Sequence, residues 1–157
     1  MSITNAAFTI ERVLNATPAR VFAAYTTIEA KSAWFKAPAE IETLERHLDF
    51  RPGGTERFHA RWPGGLETDF QATYHDIVEN ERIILVYDLF HNGGKLSVSL
   101  LTLEFRAEGS RTRLLHTEQG SYLVGGAEAV QGREHGTTWH IDNLVALIEG
   151  REPRAFS

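Results

Sequence analysis

One stretch, GAEAVQGREHGTTWHIDNLVALIEG from Gly126 to Gly150, carries the only long helical pattern in a chain that otherwise reads as strands. Val130, Thr137, Ile141, Leu144 and Ile148 fall on one stripe at helical period. Arg133 and Glu134 sit on or beside that stripe in its first half. A helix apolar late and mixed early is expected to pack on a core at its end and to line something wetter at its start. A plain amphipathic helix whose early polar residues reach solvent fits the same periodicity.

The rest of the chain sets what this helix packs on. Phe8 to Leu14 alternates as a first strand. Thr17 is a good helix cap and Pro18 a good first helical residue, with Val21, Phe22 and Tyr25 spacing a short helix. Thr27 caps a second short helix over Ile28 to Phe35. Strands are then predicted over Ile41–Phe50, Thr55–Trp62, Thr68–Val78, Ile83–His91, Leu96–Arg106 and Thr112–Gln119. Arg51-Pro52-Gly53-Gly54 and Pro63-Gly64-Gly65 mark turns, and His91 to Lys95 a loop. Strands in a run with short turns imply an antiparallel meander. The class is therefore α+β: a curved sheet of six to seven strands, two short helices after the first strand and one long C-terminal helix. A curled sheet round one helix leaves a space between them, and such spaces bind small molecules.

Composition narrows the class further. The 157 residues are read as one domain, 1–157, with its core over about 8–150. A net charge of -5 and scattered Lys and Arg argue against a nucleic-acid partner. The absence of cysteine removes disulfides, thiolate catalysis and cysteine metal sites, and is compatible with the cytoplasm. No signal peptide and no membrane span are read from the sequence.

The same order carries a family resemblance. ERVLNATPARVFAAYT opens the chain, with Glu11, Arg12, Ala16, Val21 and Phe22 at patterned positions. RPGG stands at Arg51 to Gly54. Ala72, Ile77, Glu81, Arg82 and Ile83 loosely meet a mid-chain motif in which Ala72 replaces the usual Gly, and Thr138, Trp139, Leu144 and Leu147 loosely meet a final one. Together, over about Phe8 to Gly150, these motifs resemble the activator of heat-shock-protein-90 ATPase (AHSA1-like) branch of the START-like/SRPBCC superfamily, near the polyketide cyclase/dehydrase group. The resemblance implies a helix-grip (Bet v 1-like) fold with a deep, mainly apolar cavity between sheet and long helix. The sequence shows no counterpart of the additional N-terminal domain that eukaryotic co-chaperones carry, so chaperone activation is not carried over.

His116 is the residue most out of place. Strands of this family alternate hydrophobic residues inward; here Thr112-Arg113-Leu114-Leu115-His116-Thr117-Glu118 puts His116 at an inward position, with Glu118 on its face. The two are candidate catalytic residues, an acid/base pair or an anchor for a polar ligand end. A hydrogen-bonded core histidine, or a bulge that turns both outward, is the alternative. The candidate ligand-binding wall is Trp34, Phe58, Trp62, Phe70, Tyr74, Tyr87, His116, Thr137 and Ile141. Arg57, His59 and Arg61 share the opposite, solvent face. His91, on the face of Tyr87 and Leu89, is a second candidate, with an exposed strand-end loop histidine as the blander reading, and Trp139 falls opposite the stripe as a structural residue. His135 and His140, five apart, do not share a helix face, so no metal is expected, and no cofactor.

Three functions fit. The first is a small-molecule binding protein for a hydrophobic or aromatic ligand. The second is a cyclase, dehydratase or hydrolase-type enzyme acting in the same cavity. The third is a co-chaperone-like interaction module with a closed interior. A homodimer through an edge strand is compatible with each.

Overall fold

Among the described residues, seven strands and three helices follow one another in the order the sequence pattern sets out. The computed structural model describes residues 2–157. β1 (Thr4–Leu14) leads into α1 (Pro18–Ala23) and α2 (Ile28–Ser32). Then come β2 (Glu42–Leu48), β3 (Thr55–Arg61), β4 (Glu67–Val78), β5 (Arg82–His91), β6 (Gly94–Glu108), β7 (Arg111–Tyr122) and α3 (Gly126–Ile148). All seven strands form one antiparallel sheet in the order β1-β7-β6-β5-β4-β3-β2. β1 and β2 are thus its opposite edges, and α1 and α2 carry the chain from one edge to the other. Register shifts at Thr43/Glu45, Tyr74/Asp76 and Leu89/Phe90 bend the sheet around α3, giving the α+β helix-grip arrangement.

The local signals act as read, with shifted boundaries. Thr17 Oγ1 accepts the Arg20 N–H at 3.3 Å and Thr27 Oγ1 the Ala30 N–H at 3.2 Å. β1 starts at Thr4 rather than Phe8, because its pairing with β7 runs on to Tyr122. β2 is shorter than Ile41–Phe50. α2 stops at Ser32, not Phe35, because the Ala33 and Trp34 N–H groups bond three residues back and tighten the last turn. The loop expected over His91 to Lys95 shrinks to a tight turn, with Asn92 at φ 47° and Gly93 at φ 80°.

The core lies between the inner face of the sheet, α1 and the second half of α3, with Leu14, Val21, Leu114 and Leu144 fully buried. Each such side chain contributes about 1.5–3 kcal/mol. On α3, Ile141 and Leu144 are buried, while Val130, Thr137 and Ile148 are half-buried. Asn143, Val145 and Ala146 are buried too, so the apolar face broadens as the helix approaches its end. Arg12 there donates to Asp142 at 2.8 Å, and the Asn15 N–H to Glu149 at 3.1 Å. On the outer face, Arg57 pairs with Asp69, His59 with Glu67, and Arg61 with Glu42.

The RPGG turn locks β3 to β4. The Gly53 N–H, at φ 82°, donates to Tyr74 O at 2.8 Å, and the Tyr74 N–H to Gly54 O at 2.9 Å. A Cβ on Gly54 would stand 2.0 Å from Asp49 O, inside backbone that cannot yield cheaply. Gly54→Ala is expected to lower unfolding free energy by about 3 kcal/mol, read as a shifted urea midpoint at constant slope. A loss below about 1 kcal/mol would mean that the turn relaxes freely.

Candidate functional site

A cleft of about 560 Å³ opens between the first half of α3 and the inner face of β3, β4 and β5. Period-two alternation puts Phe58 and Ala60 of β3, Phe70 of β4 and Leu89 of β5 on its floor. Opposite them α3 presents Ala129, Gly132 and Gly136. A Cβ built on either glycine meets nothing within 4 Å, so the helix leaves this space unfilled. Arg46 lies 3.9 Å from the Phe58 ring centre and backs the aromatic floor.

Behind the cleft lies a smaller chamber of about 70 Å³. Phe35, Phe70, Tyr87, Thr137 and His140 face both spaces. The rings among them pack closely, Phe35 edge-on to Phe70 at 5.1 Å and Phe70 tilted against Tyr87 at 4.8 Å. They form a collar between cleft and chamber.

Two buried polar groups wall the chamber. In one, His116 Nε2 lies 3.2 Å from Glu118 Oε1, and the Tyr87 hydroxyl donates to Glu118 Oε2 at 2.5 Å. Arg133 donates to the Tyr87 oxygen at 2.9 Å and to Ser97 Oγ at 2.8 Å. Burial first, then the charge of Glu118, pushes the Tyr87 hydroxyl well above its ordinary range, so it keeps its proton and acts as donor. In the other, Lys31 Nζ and the Tyr74 hydroxyl both donate to Glu56 Oε1 at 2.6 Å.

The structure distributes the sequence-predicted residues over both spaces. Phe58, Trp62 and Phe70 line the cleft; Trp34, Tyr74, His116 and Ile141 line the chamber; Phe70, Tyr87 and Thr137 face both. Glu118 joins His116 in the chamber wall, and no bulge interrupts β7 to turn them outward. Trp34 is tied to the core by its indole N–H, which donates to Ala24 O at 3.0 Å. His91 is exposed at a strand end yet reaches the cleft rim.

Three features differ from expectation or were not foreseen. Trp139, read as structural, lines the cleft: its indole N–H donates to Arg154 O at 3.0 Å and its ring meets Phe156 edge-on at 5.4 Å. The C-terminal segment thus folds back to the cleft mouth, a contact no local period signals. The buried Lys31–Glu56 pair was missed, although Glu56 shares the face of Phe58 and Ala60. Arg133 was placed near the stripe, but its reach into the sheet was not read. Among the described residues, no three His, Asp or Glu side chains cluster to hold a metal ion. No helix among them is long and apolar enough to cross a membrane.

The family follows from comparison with known proteins. The model of the family "Activator of Hsp90 ATPase homolog 1-like protein" matches residues 15–149. The chain belongs to this family. An uncharacterized protein from Rhizobium leguminosarum is 41% identical, with a TM-score of 0.88 over 96% of this chain and 98% of its own. The Mll3558 protein from Rhizobium loti is 34% identical, with a TM-score of 0.81 over 93% and 99%. CV1439 from Chromobacterium violaceum, 24% identical with a TM-score of 0.72 over 91% and 96%, shares the fold. No curated protein matches the chain.

Within this AHSA1-like domain, His140 couples the chamber to stability. It donates from Nε2 to Lys36 O at 2.9 Å. Burial first, then the charges of Arg46, His116 and Lys31, outweighs that bond and lowers its pKa from the usual 6.5 to about 4. The unfolded chain therefore takes up this proton first as pH falls. The stability that neutral His140 contributes is complete above pH 6.5, declines between 6.5 and about 4, and levels off below. Urea midpoints across that window should fall less steeply in His140→Gln than in the native protein; equal slopes would contradict the assignment.

Proposed function

We propose that this AHSA1-like protein binds a small apolar or aromatic molecule in the cleft between α3 and the sheet. The observation that carries this reading is the pairing of an aromatic floor with two helix glycines opposite it that leave the space open. Aromatics at period two are ordinarily core; here Phe58, Trp62 and Phe70 are only half-buried and line a cleft to which α3 contributes Gly132 and Gly136. A second reading, an acid/base enzyme of cyclase, dehydratase or hydrolase type, is favoured by one observation: His116, Glu118 and Tyr87 meet in one buried cluster behind the ligand space. The interaction-module reading calls for a closed interior, and an open cleft does not favour it. The reading invokes no cofactor or metal. It includes a cytoplasmic setting, on the lack of cysteine. Homodimerisation, if it accompanies binding, would use an edge strand, β1 or β2.

A plug in the cleft tests the proposal. N-phenyl-1-naphthylamine, a neutral apolar dye, is expected to brighten on binding the native protein. Gly136→Leu should weaken that binding on the order of tenfold or more by filling the space, while the helix itself gains about 0.5–1 kcal/mol from losing a glycine. Unchanged dye affinity in a folded Gly136→Leu protein would sink the proposal, as would no dye binding to the native protein.

A further inference from the structure

We propose that the inner chamber is a head-group subsite for a neutral hydroxyl, accepted by His116 Nδ1, on a ligand whose apolar body occupies the cleft. The proposal rests on the reading of the cleft as a ligand site and names what kind of molecule fits it.

Size sets the first limit. A dry cavity of about 150 Å³ holds a benzene ring, whereas one water fills roughly 30 Å³ of liquid. A chamber of about 70 Å³ therefore takes a hydroxyl-sized group and not a ring. Five residues face both spaces, so the chamber adjoins the cleft at the Phe35–Phe70–Tyr87 collar, and a head group there would belong to a ligand whose body lies in the cleft.

Unsatisfied polar atoms set the second. Most polar groups of the chamber wall already have partners. Glu118 takes His116 on one oxygen and Tyr87 on the other. Lys31 and Tyr74 are turned to Glu56, and His140 to Lys36. Three buried atoms of the wall have none: His116 Nδ1 and the Tyr25 hydroxyl, on side chains 5% and 3% exposed, and Glu56 Oε2, whose carboxylate already takes Lys31 and Tyr74 on its other oxygen. Buried polar atoms without partners are rare in native interiors and mark a place where something else supplies the bond.

The chemistry of His116 decides what that is. Its Nε2 faces a carboxylate oxygen, which only accepts, so the ring hydrogen sits on Nε2. With that one ring hydrogen on Nε2, Nδ1 is a bare acceptor. The ring cannot easily turn to hide it, since Glu118 is held in turn by Tyr87, and Phe8 stacks near the imidazole at 6.4 Å. An acceptor fixed in place selects a donor, and the smallest organic donor is an O–H.

Charge excludes the ionised alternatives. Lys31 is paired with Glu56, and Arg133 lies 3.8 Å from Glu118, so both of these cations already have carboxylates, and Arg46 is held by Phe35 O. A carboxylate or ammonium head would enter as a charge without a partner, which a buried site resists.

Three matched probes test this by titration calorimetry: naphthalene, 2-naphthol and 2-naphthoate, at a pH where the naphthol is neutral. The native protein should bind 2-naphthol on the order of tenfold more tightly than naphthalene, the effect of one buried hydrogen bond, and more tightly than 2-naphthoate. His116→Phe should reduce 2-naphthol to the level of naphthalene measured on the same variant. His116→Asn, which keeps an acceptor near the Nδ1 position, should restore part of the preference. A second readout uses the native protein alone: 2-naphthol, and not naphthalene, should shift the nitrogen resonance of His116 Nδ1. Equal binding of naphthalene and 2-naphthol would overturn the subsite and leave the cleft reading standing. A preference that survives His116→Phe, an unmoved Nδ1 resonance, or tightest binding of 2-naphthoate would overturn it too. If no probe binds, the cleft reading fails and the subsite fails with it.

Discussion

One long helix cannot cover the inner face of seven strands. α3, at 23 residues, packs on β1 and β7, and the short α1 packs on β6 and β7. All four of these helix–strand contacts fall toward one side of a sheet ordered β1-β7-β6-β5-β4-β3-β2. The apolar floor of β3 to β5 is left without a helix directly against it. An exposed apolar floor is unfavourable, and collapse would be the cheap remedy. Large rings such as Phe35 and Phe70 fill part of the gap, while Gly132 and Gly136 remove the side chains that would close the rest. The cleft thus follows from where the helices sit and from which residues line the helix facing the gap.

The same offset explains why charged residues are buried here. Replacing a buried ion pair by well-packed apolar side chains is often neutral or stabilising, so pairs such as Lys31–Glu56 and Glu118–Arg133 are weak evidence for stability. What they supply is orientation. Arg133 ties α3 to Tyr87 of β5 and Ser97 of β6, and Tyr87 in turn fixes Glu118 of β7. Four elements are thereby held in register around a space that has too few apolar contacts to hold itself. Removing one partner would leave a charge unpaired and cost about 3–5 kcal/mol, so the cluster tolerates little change.

Much of this was legible in the sequence because two periods carry it. Alternation placed Phe58, Ala60, Phe70 and Tyr87 on the inner face, and Arg57, His59 and Arg61 on the outer one. The helical stripe found Ile141 and Leu144, and Thr17 and Thr27 announced their helices. Arg133 drew notice because it broke the stripe in its first half, yet its direction was open: the side chain reaches inward to the sheet and not out to solvent. What periodicity could not carry were pairings across long sequence distances. Lys31 meets Glu56 from a short helix with no clear stripe, and Trp139 meets Phe156 from a segment with no regular structure. Glu56 alone left a trace, a charge at inward parity.

Parity gives the face a residue points to, but not what stands above it. Tyr74 and Tyr87 share the inner face, and so do Leu114 and His116; only the order of strands across the sheet separates packed core from ligand space. Leu114 is fully buried in the core cluster, and two residues on, His116 reaches the chamber edge. At such a boundary the residue type carries more than the pattern does. An apolar side chain at His116 would have extended the core by one more position. An imidazole, oriented by Glu118 and left with one unpaired nitrogen, instead ends the core and gives the space beside it a chemical preference.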